Sequence, residues 1–416
     1  MKSNTPAREV VKGPLRLAAI RTLCFSVMLS AGASSTAYSG DRPPAPPLAQ
    51  RICPLAISAD QVRPHIEYLA GPHCEGRDGE GAIIAADYVA QTLRDAGLQP
   101  LFGSDYFQPI PDGAQPDGTP KIIGRNVGAL WPGTDPQLKD EVILVASHYD
   151  HLGLRRGVIH PGADDNASGV AMLLETARYV SQLPIKPRRS IAFVGFDMEE
   201  ELLYGSRWFV SHPPVPLSRI KLMVVADMIG RSLGDLPLPL VFMLGSEHAP
   251  ELRTRVAEVG VPRDLEVGRL GVDFIGTRSD YGPFRDHQVP FLFFSTGEHP
   301  DYHTPRDTPD RIEYDKLARI SSLIAQLIVQ VANSPSAPQW EGSPQPDLEE
   351  AHTLERITEL MLAEEARGHR QLSTTTRFIA SQTLAKTRYM QQRGTLSAAE
   401  RVWLMRSAQF LLINAF

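Results

Sequence analysis

The chain has 416 residues, 42% of them hydrophobic, and a formal net charge of -6. That supplies apolar residues for one large core or two modest ones. It offers no basic stripe for nucleic acid and no acidic block of the kind that forms a solvating tail.

Lys2, Arg8, Lys12, Arg16 and Arg21 precede a short apolar run at 23–33. The run is too brief for the ~20 residues of a spanning helix. Small residues follow, with Ala37-Tyr38-Ser39 as a cleavage-type sequence. Residues 1–39 therefore read as a secretory signal peptide, and the expectation is an exported, periplasmic or secreted protein. The ordinary alternative is an N-terminus that stays uncleaved. No later stretch has the length and apolarity of a membrane span. Cys53 and Cys74 remain beyond the leader, either as a disulfide or as two thiols.

Residues 40–57 are Pro-rich and read as a linker. Helices are expected at 59–70 and 81–96, the second with Ile84, Tyr88 and Leu93 at helical spacing and Gly97 at its C-terminus. Residues 100–124 are turn-rich. Short apolar runs at 142–146, 191–196, 222–226 and 290–295 then read as strands. Helical patterns fall at 167–180, 200–210 and 251–259. Strands alternating with helices predict an α/β domain with a mostly parallel central sheet and helices on both faces. A longer amphipathic helix at 311–331 closes a domain of residues 58–333. A Pro- and Ser-rich linker at 334–347 leads to a helical C-terminal extension, 348–416, with weak breaks at Gly368 and Gly394 and no chemical motif.

Open parallel sheets bind ligands outside the carboxyl ends of their strands, and there the acids and imidazoles gather. His148 follows the first run, Glu199 and Glu200 the second, Asp227 the third, and His303 lies in the loop after the fourth. Asp164 sits in a Gly-rich loop entering a helix that Asn166 or Ser168 can cap. One His at a strand end is ordinarily a loop residue. Burying this many acids together without a cation would be costly. Two His and three carboxylates suit zinc, and five donors exceed what one catalytic zinc takes. A bridging Asp would give each of two ions three protein ligands.

The segments His148-Tyr149-Asp150, Gly162 to Gly169, Glu199-Glu200 with Tyr204-Gly205-Ser206, Asp227-Met228-Ile229-Gly230 and Asp301-Tyr302-His303-Thr304-Pro305 together resemble metallopeptidase family 28. These are the co-catalytic di-zinc aminopeptidases that include bacterial leucyl aminopeptidase and aminopeptidase Y. The likeness spans roughly residues 60–333. It implies a zinc-exopeptidase, phosphorylase/hydrolase-like fold and two Zn2+ per chain. One ion would be held by His148, Asp164 and Asp227, the other by Asp164, Glu200 and His303. It implies Glu199 as general base, Asp150 orienting His148, and a cis peptide at Asp164–Asp165. The expected function is hydrolysis of N-terminal residues from peptides through a metal-held water. A peptide is then the partner, and nothing in the sequence sets an oligomeric state.

The pattern departs from the family in places. Leu202 stands two residues after the metal-binding Glu, where Gly is usual. Tyr204 replaces a Leu, and Tyr281 replaces a His after Ser279-Asp280. Tyr281 is either a packing residue or a neighbour of the reacting carbonyl. His151, His160, His287 and His299 fall outside the motif positions and read as loop residues or supports of ligands. Arg155, Arg156 and Glu201 read as solvated. Three other functions fit the same fold: a single-zinc glutaminyl cyclase, a carboxypeptidase-type relative, and a non-catalytic binding module. No arginine cluster reads as a clamp for a C-terminal carboxylate, and the sequence does not place Arg231, Arg269 or Arg278 relative to the metals.

Overall fold

The computed structural model describes residues 52–115, 117–343 and 346–415. The signal-peptide reading and most of the first linker lie outside them. Among the described residues, eleven strands form: β1 (Gln99–Pro100), β2 (Phe107–Ala114), β3 (Pro120–Trp131), β4 (Val142–His148), β5 (Leu154–Arg155), β6 (Val158–Ile159), β7 (Ser190–Phe196), β8 (Ile220–Ala226), β9 (Leu240–Leu244), β10 (Glu266–Arg269) and β11 (Phe291–Ser295). The α-helices are α1 (Ala59–Leu69), α2 (Glu80–Asp95), α3 (Gly169–Ser181), α4 (Tyr204–Ser211), α5 (Glu251–Val259), α6 (Tyr281–Asp286), α7 (Tyr314–Asn333), α8 (Leu348–Ala366), α9 (Thr374–Arg393) and α10 (Ala398–Ala415).

The main sheet runs β1-β3-β7-β4-β8-β11-β9-β10, with β2 paired to β3. Its centre, β7-β4-β8-β11, is parallel, as near-continuous apolar runs predict. Its flanks are mixed: β3 meets β7 antiparallel and β9 meets β11 antiparallel. The turn-rich reading of 100–124 missed β2 and the start of β3. That hairpin is a partly exposed edge with register shifts at Ile110/Pro111 and Pro111/Ala114, so its composition resembles a loop. Strand β9 was missed too, because Pro237 and Pro239 directly precede it.

Strand alternation sends successive side chains to opposite layers. Ile143 and Val145 of β4 join the core with α1, α2, α3 and α7, whereas Leu144 and Ala146 join the core with α4, α6 and the C-terminal helices. The extension is thus part of the second core. Arg356 pairs with Glu266 of β10 at 3.0 Å, and Arg401 reaches both Glu350 and Asp273 at 2.6 Å. The breaks at Gly368 and Gly394 are left-handed helix ends, at φ +79° and +74°. Cys53 and Cys74 are separate buried thiols.

Candidate metal centre

Four site segments leave the carboxyl ends of central strands, and the 163–168 loop follows the small β5-β6 hairpin. His148 is the last residue of β4, and Asp227 follows β8 directly. Glu199 and Glu200 lie in a turn between β7 and α4, and His303 in the loop after β11. Helix α4 starts at Tyr204, four residues later than expected. Met198, Leu202 and Leu203 all sit at positive φ in that turn, and a helix cannot pass through left-handed residues. Leu202, at φ +62° and 79% exposed, stands where the related pattern has Gly. A branched residue there costs roughly 1–2 kcal/mol in backbone energy. Met228, beside Asp227, and His303 itself are also left-handed.

The carboxylate that lies between the two imidazoles is that of Asp165, not Asp164. His148 Nε2 lies 3.5 Å from Asp165 Oδ1 and 3.4 Å from Asp227 Oδ1. His303 Nε2 lies 3.1 Å from Asp165 Oδ2 and 3.2 Å from Glu200 Oε2. The two oxygens of Asp165 thus face two different imidazoles. Asp164 points elsewhere: its Oδ1 accepts the Gly230 N–H at 2.6 Å, and its Oδ2 sits 3.4 Å from His299 Nε2. It ties its own loop to the one after β8. The cis peptide is correspondingly Asp165–Asn166 rather than Asp164–Asp165. Adjacent residues in an irregular turn can face opposite ways, and the repeated Asp hid which one turned inward. Asn166 caps α3, its Oδ1 accepting the Gly169 N–H at 3.0 Å.

The distances test whether metal suits these residues. In a tetrahedral zinc site with bonds of 2.0–2.1 Å, neighbouring ligand atoms lie about 3.3 Å apart. The imidazole–carboxylate distances of both trios, 3.4 and 3.5 Å at His148 and 3.1 and 3.2 Å at His303, approach that spacing. His148 Nε2, Asp165 Oδ2, Asp227 Oδ1 and His303 Nε2 are buried and make no hydrogen bond. Each imidazole nitrogen lies close to two oxygens without pointing at either, as donors around a common ion do. Burial alone would lower the His303 pKa, yet Asp165 and Glu200 outweigh it and raise it to about 10. His148 is likewise raised, Asp227 and Glu199 overcoming its burial. The carboxylates demand positive charge here, as protons or as cations.

Asp150 does more than steady His148. His148 Nδ1 donates to the Asp150 backbone carbonyl at 3.3 Å, with the carboxylate 3.4 Å away. The same carboxylate accepts the Glu199 and Glu200 N–H groups at 3.1 and 3.2 Å. It therefore locks the paired-glutamate turn against β4. Burial raises the Glu199 carboxyl well above its usual range.

Three residues were not foreseen in these roles. Arg77 is fully buried and gives all its donors to main-chain carbonyls: Tyr149 (2.7 Å), Leu69 (2.9 Å), Pro161 (2.6 Å), Gly162 (2.8 Å) and Asp165 (3.1 Å). Gly162, at φ +59°, is needed because a Cβ there would lie 2.1 Å from the Asp165 oxygen and 2.6 Å from Arg77 Nη2. Asp307 accepts the Asp164 and Asp165 N–H groups at 3.0 Å each, so the loop is gripped from both sides. Asp280 is fully buried in the field of His148, Asp150 and Asp227, and burial pushes its carboxyl up to about 7. Its neighbour in the Ser279-Asp280 pair was the only sequence signal.

Tyr281 is a packing residue. Its ring stacks on Phe291 at 5.1 Å and its hydroxyl donates to the Gly276 carbonyl. Arg155, Arg156 and Glu201 are exposed, as is His160's hydrogen bond to Val158. His151 and His299 are buried beside acids of the centre.

A family model described as peptidase family M28 matches residues 126–328. Leupeptin-inactivating enzyme 1 of Streptomyces exfoliatus is 29% identical over 57% of this chain and 49% of its own length. Aminopeptidase YwaD of Bacillus subtilis is 27% identical over 48% of this chain and 43% of its own. The chain thus spans about half the length of these curated relatives. Among solved structures, LapB from Legionella pneumophila aligns with TM-score 0.53 and 21% identity, over 67% of this chain and 73% of that one. Porphyromonas gingivalis glutaminyl cyclase aligns with TM-score 0.51 and 21% identity, over 65% and 98%. At such identities the likeness shows a shared fold.

Proposed function

We propose that this chain, which a model of peptidase family M28 matches over residues 126–328, belongs to that family and is a two-zinc aminopeptidase. The carrying observation is the placement of Asp165, whose two oxygens face His148 and His303 separately. His148, Asp165 and Asp227 would hold one zinc, and Asp165, Glu200 and His303 the other. When bound, such a pair polarises a scissile carbonyl and acidifies water. Glu199 is the proton carrier, taking a proton at its carboxylate and handing it to the leaving amine. Asp150 keeps it there through the Glu199 N–H.

Attack at the amino end is supported by the arginines. Arg231 pairs with Asp301 and Asp235 at 3.0 and 2.6 Å, Arg269 with Asp347 at 3.1 Å, and Arg278 with Glu298 at 3.2 Å. Each is already matched to a carboxylate of its own chain, so none stands ready as a carboxylate clamp. The glutaminyl cyclase alternative shares the fold, but a one-zinc enzyme has no use for a carboxylate divided between two imidazoles. Export to the periplasm or medium belongs to the same proposal and rests on the leader sequence.

The test is a panel of free and N-blocked peptides, assayed with and without a chelator. Release of N-terminal residues, abolished by chelation and restored by zinc, is expected. Internal cleavage of blocked peptides, or pyroglutamate formation from N-terminal glutamine, would overturn the assignment.

A further inference from the structure

His151 lies three residues beyond His148 and its side chain is fully buried. Its backbone N–H donates to the Arg77 carbonyl at 3.1 Å. Its ring packs so closely that a Cβ on Gly162 would lie 2.6 Å from Cδ2. The backbone is thus tied to Arg77, and the ring is packed against Gly162. Its Nδ1 stands 3.0 Å from Glu200 Oε1 and 3.7 Å from Asp165 Oδ2.

By distance alone, His151, Asp165 and Glu200 form a compact donor trio that could enclose a cation. Direction separates His151 from the other imidazoles. His148 Nε2 and His303 Nε2 aim between two oxygens and hydrogen-bond to neither. His151 Nδ1 aims at one oxygen, Glu200 Oε1, with hydrogen-bond geometry. A carboxylate only accepts, so the facing nitrogen carries the proton.

We infer that His151 is a positioning residue for the second metal site: its Nδ1–H holds Glu200 Oε1 and so reserves Oε2 for the ion shared with Asp165 and His303. This inference rests on the two-zinc reading of the centre. Glu200 stands just before Leu202 and Leu203, the left-handed residues of its turn, and its carboxylate has one oxygen toward each of two imidazoles. Without the His151 donor, that carboxylate can rotate or close both oxygens on one ion. Supports of this kind typically change metal affinity 10–100-fold.

Zinc-free protein is titrated with zinc by calorimetry against a competing chelator, for wild type, His151→Phe and His151→Asn. Phe keeps a ring without a donor, and Asn places an N–H near the Nδ1 position. In wild type, two sites are expected. In His151→Phe, one site should weaken 10–100-fold while the other stays within about threefold. His151→Asn should recover most of the loss. Zinc X-ray absorption on the wild type needs no variant: two imidazoles shared by two ions are expected. Three imidazoles would make His151 a ligand and overturn the inference, as would unchanged affinities in His151→Phe. If wild type binds one zinc, the two-metal reading falls, and His151 keeps its role only if that single affinity drops in His151→Phe.

Discussion

Replacing Arg77 with Met removes a buried cation that has no single carboxylate partner and five carbonyl partners. Gly162 keeps a second donor, the Ala167 N–H at 3.2 Å, so four carbonyls lose their guanidinium contact without that relief. At roughly 1–3 kcal/mol for each buried acceptor left unpaired, the gross loss is about 4–12 kcal/mol. The variant also escapes the cost of desolvating the guanidinium, which is several kcal/mol. A net loss near 4 kcal/mol is expected, about 8 °C in Tm at ~2 °C per kcal/mol for a large domain. Urea unfolding of zinc-free protein is the assay, because bound metal would otherwise mask part of the change. Arg77→Lys has three donors for five acceptors and should fall between. A loss below about 1 kcal/mol for Arg77→Met would refute the idea that this side chain holds the loop carrying Asp165.

Asp165→Asn should lose both zinc ions, measured by metal analysis after desalting, whereas Asp164→Asn should keep them and cost about 1–3 kcal/mol of stability; equal zinc loss would return the bridge to Asp164. Glu199→Gln should retain zinc and lose 10²–10⁴-fold in turnover, and undiminished turnover would remove Glu199 from proton transfer. Lys316 donates to the Arg231 and Leu238 carbonyls and to Ser232 Oγ, and burial lowers its pKa from 10.5 to about 8. Between those values the unfolded chain binds the extra proton, so this residue makes stability rise with pH, by about 3 kcal/mol across the window. Unfolding measured from pH 8 to 10.5 should show a flatter slope for Lys316→Met than for wild type, and parallel slopes would contradict it.

The residue pattern alone marks the central strands and the strand ends where the chemistry gathers. Buried parallel strands must be continuously apolar, so a polar residue at their carboxyl ends stands out, as His148 and Asp227 do. It also placed the C-terminal helices, since Gly368 and Gly394 interrupt a pattern nothing else breaks. Local pattern did not reveal β2, β9 or the ladder at the flanks, where exposure and proline make strand and loop compositions alike.

Asp164 and Asp165 are told apart by packing, not by pattern. Their local sequence is the same to within one position, and their directions are set by Arg77, Gly230 and Asp307, which lie 65 or more residues away or in another element. Arg77 itself reads as an ordinary surface residue until five carbonyls from three segments close around it. Residue type reveals which chemistry a chain carries, whereas the direction of a side chain is a property of the packing that surrounds it.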